Sequence, residues 1–361
     1  MTWQCKAIDH GVTFFPNGKI GPCCQVSADY LKPIEVIARR DRFYDLKTEL
    51  PPSACEKCVQ NEYQGLPSYR HFFNSHTTAS DQNIVFLDIR NTNQCNLKCR
   101  YCGPHFSNQW AKELNIDIPL MHTNLDHLLD NILTDDLQVV YFTGGEPLIS
   151  ADHWDILARL IKSGLSKKIK LMYNTNVTVL KYKDIDFIQT WDQFANVNLM
   201  MSIDAIGELF NNIRSGANWQ DIEANLYALQ RLKSNVVLSV SCVLSILNIW
   251  DLIDYIKYFQ ARTIPVNFII LQGPDYLALN VIPDDLKHRA LTIIDKAIDL
   301  LNNPELQEAR NIIINNQNQI LFRQCVSHVL LLDSIRKENL FALLPFRDLA
   351  KELIANNNEY R

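Results

Sequence analysis

From residue 84 onward, short apolar runs alternate along the chain with longer amphipathic ones. Ile84–Ile89, Leu137–Phe142, Ile169–Tyr173, Val197–Ile203, Val236–Leu244 and Val266–Leu271 are compact, apolar and rich in β-branched residues, and they predict strands. Between them, Leu125–Leu133, Trp154–Ser163, Ile185–Thr190, Trp219–Leu232 and Asn248–Phe259 repeat apolar residues at helical spacing. Strands alternating with helices at this interval predict an α/β fold, a parallel sheet with crossover helices. Periodicity alone does not separate a partial barrel from a doubly wound sheet.

The texture changes at both ends. Before residue 80, Pro16, Asn17, Gly18, Gly21, Pro22, Pro51 and Pro52 punctuate short hairpin-like runs. After about residue 283 the pattern is helical, over Asp284–Leu301, Pro304–Ile320 and a run through Val326–Leu332, with a polar end at Asn356–Asn358. The expected division is 1–80, 81–275 and 276–361. There is no internal repeat and no low-complexity tract.

Composition narrows the function. A chain of 361 residues, 47% of them hydrophobic, can bury a large core. A formal net charge of −5 gives no electrostatic case for nucleic acid or an anionic membrane surface. No apolar run is long enough to span a bilayer, and Met1–Lys6 lacks the apolar stretch of a signal peptide, so a cytoplasmic location is expected. Ten cysteines in a reducing compartment favour ligation of metal over disulfides.

Seven of those cysteines fall into two sets. Cys95, Cys99 and Cys102 are spaced Cys-x3-Cys-x2-Cys directly after the strand-like run 84–90, so three thiolates lie on one short arc. A cluster with four irons usually takes four cysteines, and three leave one iron open. Alternatively, with His105, they make a closed zinc site of three cysteines and a histidine. The second set is Cys5, Cys23, Cys55 and Cys58, in which a hairpin turning at Pro16-Asn-Gly18 brings the first two side by side and Cys55-x2-Cys58 adds a pair. A four-cysteine zinc ribbon is the other reading of that set, and Cys24 is a rival to Cys23. Cys242, on a strand, is expected in the core; Cys325 and His328 share one helix face.

The strand ends carry further chemistry. Tyr141-Phe-Thr-Gly144-Gly145-Glu146-Pro147 places two glycines and an anion where a parallel strand ends, the end at which such folds bind ligands. The next two strands end in Asn174-Thr-Asn176 and Ser202-Ile-Asp204, with Arg214 ten residues further on. Without a ligand, Ser202 and Asp204 cap the following helix and Arg214 is a surface charge.

The segment Cys95-Asn-Leu97-Lys-Cys99-Arg-Tyr101-Cys102, followed by the Gly-Gly-Glu-Pro run, resembles the radical S-adenosylmethionine (SAM) enzymes. The sequence after it, through Trp110, resembles the branch with an auxiliary cluster in a twitch or SPASM-like domain, which here precedes the barrel. The resemblance covers most of residues 1–275. It implies a partial (β/α)6 TIM-like barrel, a small N-terminal β-hairpin domain and a C-terminal helical region. It also implies a SAM-binding 4Fe–4S cluster on Cys95, Cys99 and Cys102, with Tyr101 as an aromatic filler, and an auxiliary 4Fe–4S cluster on Cys5, Cys23, Cys55 and Cys58.

The same resemblance gives the SAM contacts. Gly144, Gly145, Glu146 and Pro147 receive the SAM amine; Ser202 and Asp204 bind the ribose, and Asn174 and Asn176 line the same wall. Arg214 holds the carboxylate, and Val243, Leu244 and Asn248 lie on the adenine side. The implied reaction reductively cleaves SAM to a 5′-deoxyadenosyl radical that abstracts hydrogen from a peptide or small-metabolite substrate, with an electron donor such as flavodoxin or ferredoxin. An auxiliary cluster with no open iron favours a net oxidation. Glu62, Ser68 and Arg70 are expected at an inter-domain contact. The alternative is a non-catalytic, zinc-stabilised binding protein.

Overall fold

A computed structural model describes residues 4–33, 53–78, 83–315 and 319–348; the polar end at Asn356–Asn358 lies outside them. The chain divides into two compact units. The first holds the described residues up to Asn96, with Gly103–Met201 and Asn225–Leu238; the second holds Leu97–Cys102, Ser202–Ala224 and the described residues from Ser239.

In the first unit, β1 (Gly11–Phe14) and β2 (Lys19–Gly21) form the expected hairpin, turning through Gly18 at φ +75°. Three parallel strands follow, β3 (Phe86–Ile89), β4 (Val139–Phe142) and β5 (Lys170–Thr175), and β5 pairs in parallel with β6 (Asn196–Ser202). The strands β3 and β4 are buried at every residue, as a parallel sheet covered on both faces requires. The crossover helix α1 (Ala151–Lys162) buries His153, Trp154, Ile156, Leu157 and Leu160, one stripe at helical spacing. It seats against β4 and β5 through His153, whose ring meets Phe142 edge-on and whose Nε2 lies 3.0 Å from Tyr173 Oη. Burial lowers the His153 pKa to about 3 and keeps the ring neutral.

The β1 strand does more than form a hairpin. It also pairs in parallel with β3, from Gly11 against Phe86 to Phe14 against Ile89. A strand edge left open is a liability, and β1 closes the β3 edge. The run expected to be helical over Ile185–Thr190 instead begins with a two-residue strand and becomes helix α2 at Phe187–Trp191. The Asp186 carboxylate sets that start by accepting from Ile188 N at 3.0 Å.

In the second unit, β7 (Val236–Leu244) pairs in parallel with β8 (Val266–Ile270) between Val240 and Leu244. Three long helices follow: α3 (Asp284–Leu301), α4 (Pro304–Ile314) and α5 (Gln319–Arg336). The helix expected over 304–320 stops at Ile314, where Asn315 begins a polar run that favours a cap over continuation. Cys242 and Cys325 are core residues. Among the described residues no helix is long and apolar enough to cross a membrane.

Candidate functional site

The backbone entering the cysteine loop is gripped by the Gly-Gly turn. Gly145 N donates to Thr92 O at 3.1 Å and Glu146 N to Gln94 O at 2.7 Å. A Cβ on Gly145 would lie 2.0 Å from Gln94 O, and Gly144 holds φ +100°. The glycines were expected to admit a ligand; their close approach is to the chain leading into Cys95. Gly145→Ala should therefore displace that segment and destabilise the protein by about 4 kcal/mol or more, read by thermal unfolding. A stability within about 1 kcal/mol of the parent would overturn this packing account.

Glu146 is 1% exposed. Its carboxylate accepts from Leu148 N at 3.0 Å, Thr175 Oγ1 at 2.6 Å and Asn176 N at 2.7 Å, and so ties the end of β4 to the end of β5. Thr175 escaped the sequence reading although it lies between the two named asparagines. Asn176 Nδ2 donates to Asn96 Oδ1 at 2.9 Å, one residue beyond Cys95, and Cys95 N donates to Asn108 Oδ1 at 3.1 Å. Asn174 Oδ1 is buried and has no hydrogen-bond partner among the described residues.

A second polar group, also missed in the sequence, occupies the ends of β1, β3 and β4. Arg90 grips Asp88 with two bonds, at 3.1 and 2.7 Å, and Thr143 Oγ1 donates to the same carboxylate at 3.2 Å. The signal was present as an acid inside the apolar run Phe86-Leu-Asp-Ile89.

In the second unit, Cys102 N closes a turn on Cys99 O at 2.9 Å. Asp204 and Arg214 are both buried and pair with each other, Arg214 Nε to Asp204 Oδ2 at 2.6 Å. Tyr101 Oη donates to the same carboxylate oxygen, and Val243 N donates to Asp204 Oδ1 at 2.8 Å. Arg214 Nη1 reaches Cys99 Sγ at 3.7 Å. Arg214 is thus no surface charge: one edge binds an acid and the other a cysteine sulfur. Burial raises the Cys99 pKa, and the guanidinium works against that rise. Asn248 Nδ2 donates to Asp204 O at 2.8 Å, and Ser202 is half-buried at the end of β6. His105 is exposed.

The N-terminal cysteines come together. Cys5, Cys23, Cys55 and Cys58 all line one cavity, with Tyr69 and Arg70. Burial, and after it repulsion from neighbouring cysteines, pushes three of these thiols up, Cys5 to about 11, Cys55 to about 12 and Cys23 well above its ordinary value. Among the described residues no group of three or more His, Cys, Asp or Glu side chains is drawn together as metal ligands would be, and the four cysteines share this cavity. As a donor set they fit a group that brings its own positive charge to hold thiolates. Cys24 does not line this cavity. Its thiol, raised to about 11 by burial, feels Arg90 and Asp88 instead. Cys23 and Cys24 both lie in the turn beyond β2, and of the two Cys23 lines the cavity.

Glu62, Ser68 and Arg70, expected at an inter-domain contact, bond to one another, with Ser68 Oγ and Arg70 both donating to Glu62. Arg70 Nε donates to Glu62 Oε1 at 2.9 Å and its Nη1 to Gln4 O at 3.2 Å, beside Cys5.

Residues 89–259 match the family model described as the Radical SAM superfamily. The match covers just under half of the chain, which is similar to that family over this stretch, and the chain is an enzyme. A chain similar to it is "Molybdenum cofactor biosynthesis protein 1" of Dictyostelium discoideum, 24% identical over 232 residues that cover 63% of this chain and 35% of the relative. Another is "GTP 3',8-cyclase" of Helicobacter pylori (strain HPAG1), 25% identical over 190 residues, 52% of this chain and 55% of the relative. The chain therefore spans about half the length or less of these curated relatives. Among solved structures, "Native anSMEcpe with bound AdoMet" aligns with a TM-score of 0.44 and 18% identity over 63% of this chain and 63% of that one. Streptococcus suis SuiB bound to S-adenosylmethionine aligns with a TM-score of 0.38 and 17% identity, over 68% and 53%.

Proposed function

We propose that this enzyme reductively cleaves SAM at a 4Fe–4S cluster held by Cys95, Cys99 and Cys102 and uses the resulting radical to abstract hydrogen from its substrate. The carrying observation is the loop itself: three cysteines inside the matched stretch 89–259, with a buried guanidinium on one of their sulfurs. The bound cluster supplies the electron for cleavage. Arg214 offsets the negative charge of the thiolates, and Asp204 fixes the guanidinium and the Tyr101 hydroxyl. Glu146, Asn174, Asn176 and Ser202 form the polar wall offered to SAM, with Gly144, Gly145 and Pro147 shaping the turn beneath it.

The cavity of Cys5, Cys23, Cys55 and Cys58 supports a second, fully ligated 4Fe–4S cluster of the twitch kind, suited to electron transfer and so to net oxidation of the substrate. Relatives named for GTP cyclisation favour a small metabolite over a peptide. A flavodoxin or ferredoxin is the proposed electron donor, the cytoplasm the proposed location, and 1–80, 81–275 and 276–361 the proposed functional segments.

The test is anaerobic purification, iron and sulfide analysis, and SAM titration by calorimetry. Glu146→Gln and Asp204→Asn should each weaken SAM binding by about 1.5–3 kcal/mol with iron unchanged. Asparagine keeps one acceptor oxygen but sets its amide against Val243 N or against Arg214 and Tyr101, so a thermal unfolding curve is recorded beside each titration. Undiminished affinity in both variants would place SAM elsewhere.

A further inference from the structure

Between two of the cluster-loop cysteines stands Arg100, whose side chain is 0% exposed. An arginine is almost never buried unless paired, and this one is paired on every side. Its Nε donates to Asn212 O at 2.8 Å and its Nη1 to Val329 O at 3.2 Å. Its Nη2 donates to Glu338 Oε2 at 2.7 Å and also to Asp333 Oδ1. Asp333 and Val329 lie on α5, and Glu338 lies just beyond its end.

The backbone around Arg100 is held by the same two segments. Lys98 N donates to Ser215 O and Arg100 N to Ile213 O, each at 2.9 Å. Arg336 Nη1 donates to Lys98 O at 2.9 Å and to Ser215 Oγ at 2.8 Å, and Ser215 Oγ donates to Glu338 Oε2 at 2.9 Å. His328 Nε2 lies 3.3 Å from Arg100 O. Asp333 in turn accepts from Phe341 N at 2.9 Å, which anchors the acid in the turn after α5. Two guanidinium groups and two carboxylates thus balance around the loop, and the segment 212–215 also carries Arg214, the residue on Cys99 sulfur.

We propose that Arg100, Asp333 and Glu338 are positioning residues for the Cys95–Cys102 cluster, and that α5 with the turn to Glu338 is a part of that site. Thiolates crowded on one arc repel one another, so a loop that presents them needs its backbone fixed from behind. A planar fork with its donors spent on four acceptors fixes it, and lysine, a single point donor, does not. This inference rests on the cluster assignment made above.

The test uses the full-length, anaerobically reconstituted protein with both clusters. Arg100→Lys, Arg100→Gln and Glu338→Gln are compared with the parent in three readouts: the rate of iron loss to a chelator, the electron paramagnetic resonance spectrum of the dithionite-reduced protein with and without SAM, and thermal unfolding. The expected result is that Arg100→Gln loses the SAM-responsive cluster to chelator about tenfold faster or more, while the iron held by Cys5, Cys23, Cys55 and Cys58 leaves at the parental rate. Arg100→Lys should fall between, and Glu338→Gln should shift the SAM-induced spectrum. Should Arg100→Gln fail to fold, Glu338→Gln, which keeps an acceptor oxygen, decides by the same readouts. Parental chelation rates and spectra in folded variants would overturn the clamp alone. A parent protein with no SAM-responsive signal would instead overturn the cluster assignment beneath it.

Discussion

Replacing Cys95, Cys99 and Cys102 together with alanine should abolish formation of 5′-deoxyadenosine from SAM under dithionite. Iron should fall from about eight per chain to about four. The effect is all or none because the three thiolates are the only protein ligands proposed for that cluster. The fold should persist: Cys95 and Cys102 are half-buried, buried Cys99 gives up one sulfur contact with Arg214, and the loop keeps the bonds that Cys95 N donates to Asn108 and that Lys98 N and Arg100 N donate to Ser215 O and Ile213 O. Circular dichroism and an unfolding curve close to the parent's, beside lost cleavage, are the outcome that supports the assignment. Deoxyadenosine produced at the parental rate by the triple variant would remove it.

What could be read in advance follows the range of the interactions involved. Strand Val236–Leu244 and helix Asp284–Leu301 fall where the apolar pattern puts them, because hydrophobic period is a local property. Pairing of β1 with β3 was not legible. Gly11-Val-Thr-Phe14 is four residues long, and nothing local says which edge it will join. Residue types at the candidate site were legible, since an acid or amide at a strand end stands out against apolar neighbours. Their partners were not. Arg100 and Asp333 are 233 positions apart, so the tie between the cysteine loop and α5 exists only in the folded chain. The same reason explains why Arg214, read as a fork for a ligand, turns out to spend two of its donors on Asp204 and Cys99.

The auxiliary site gives the second large effect. Cys55→Ala with Cys58→Ala removes two of four thiols from the cavity they share with Cys5 and Cys23, and two thiolates do not retain a four-iron cluster. About four irons should be lost, those of Cys95, Cys99 and Cys102 should remain, and SAM cleavage without substrate should continue. Coupled substrate turnover should fail, because the electron released in the proposed net oxidation then has no acceptor. Position 58 is buried and position 55 half-buried, so alanine leaves a cavity that costs some stability, and iron is best counted well below the unfolding temperature. The neighbouring cysteines separate ligation from mere proximity. Cys23→Ala should lose the same iron as the double variant, since its thiol lines the cavity. Cys24→Ala should keep it, since that thiol feels Arg90 and Asp88 and lies outside the cavity lining. Iron lost from Cys24→Ala but kept by Cys23→Ala would transfer the ligand role from one residue to the next and show that the turn beyond β2 rearranges when the cluster is built.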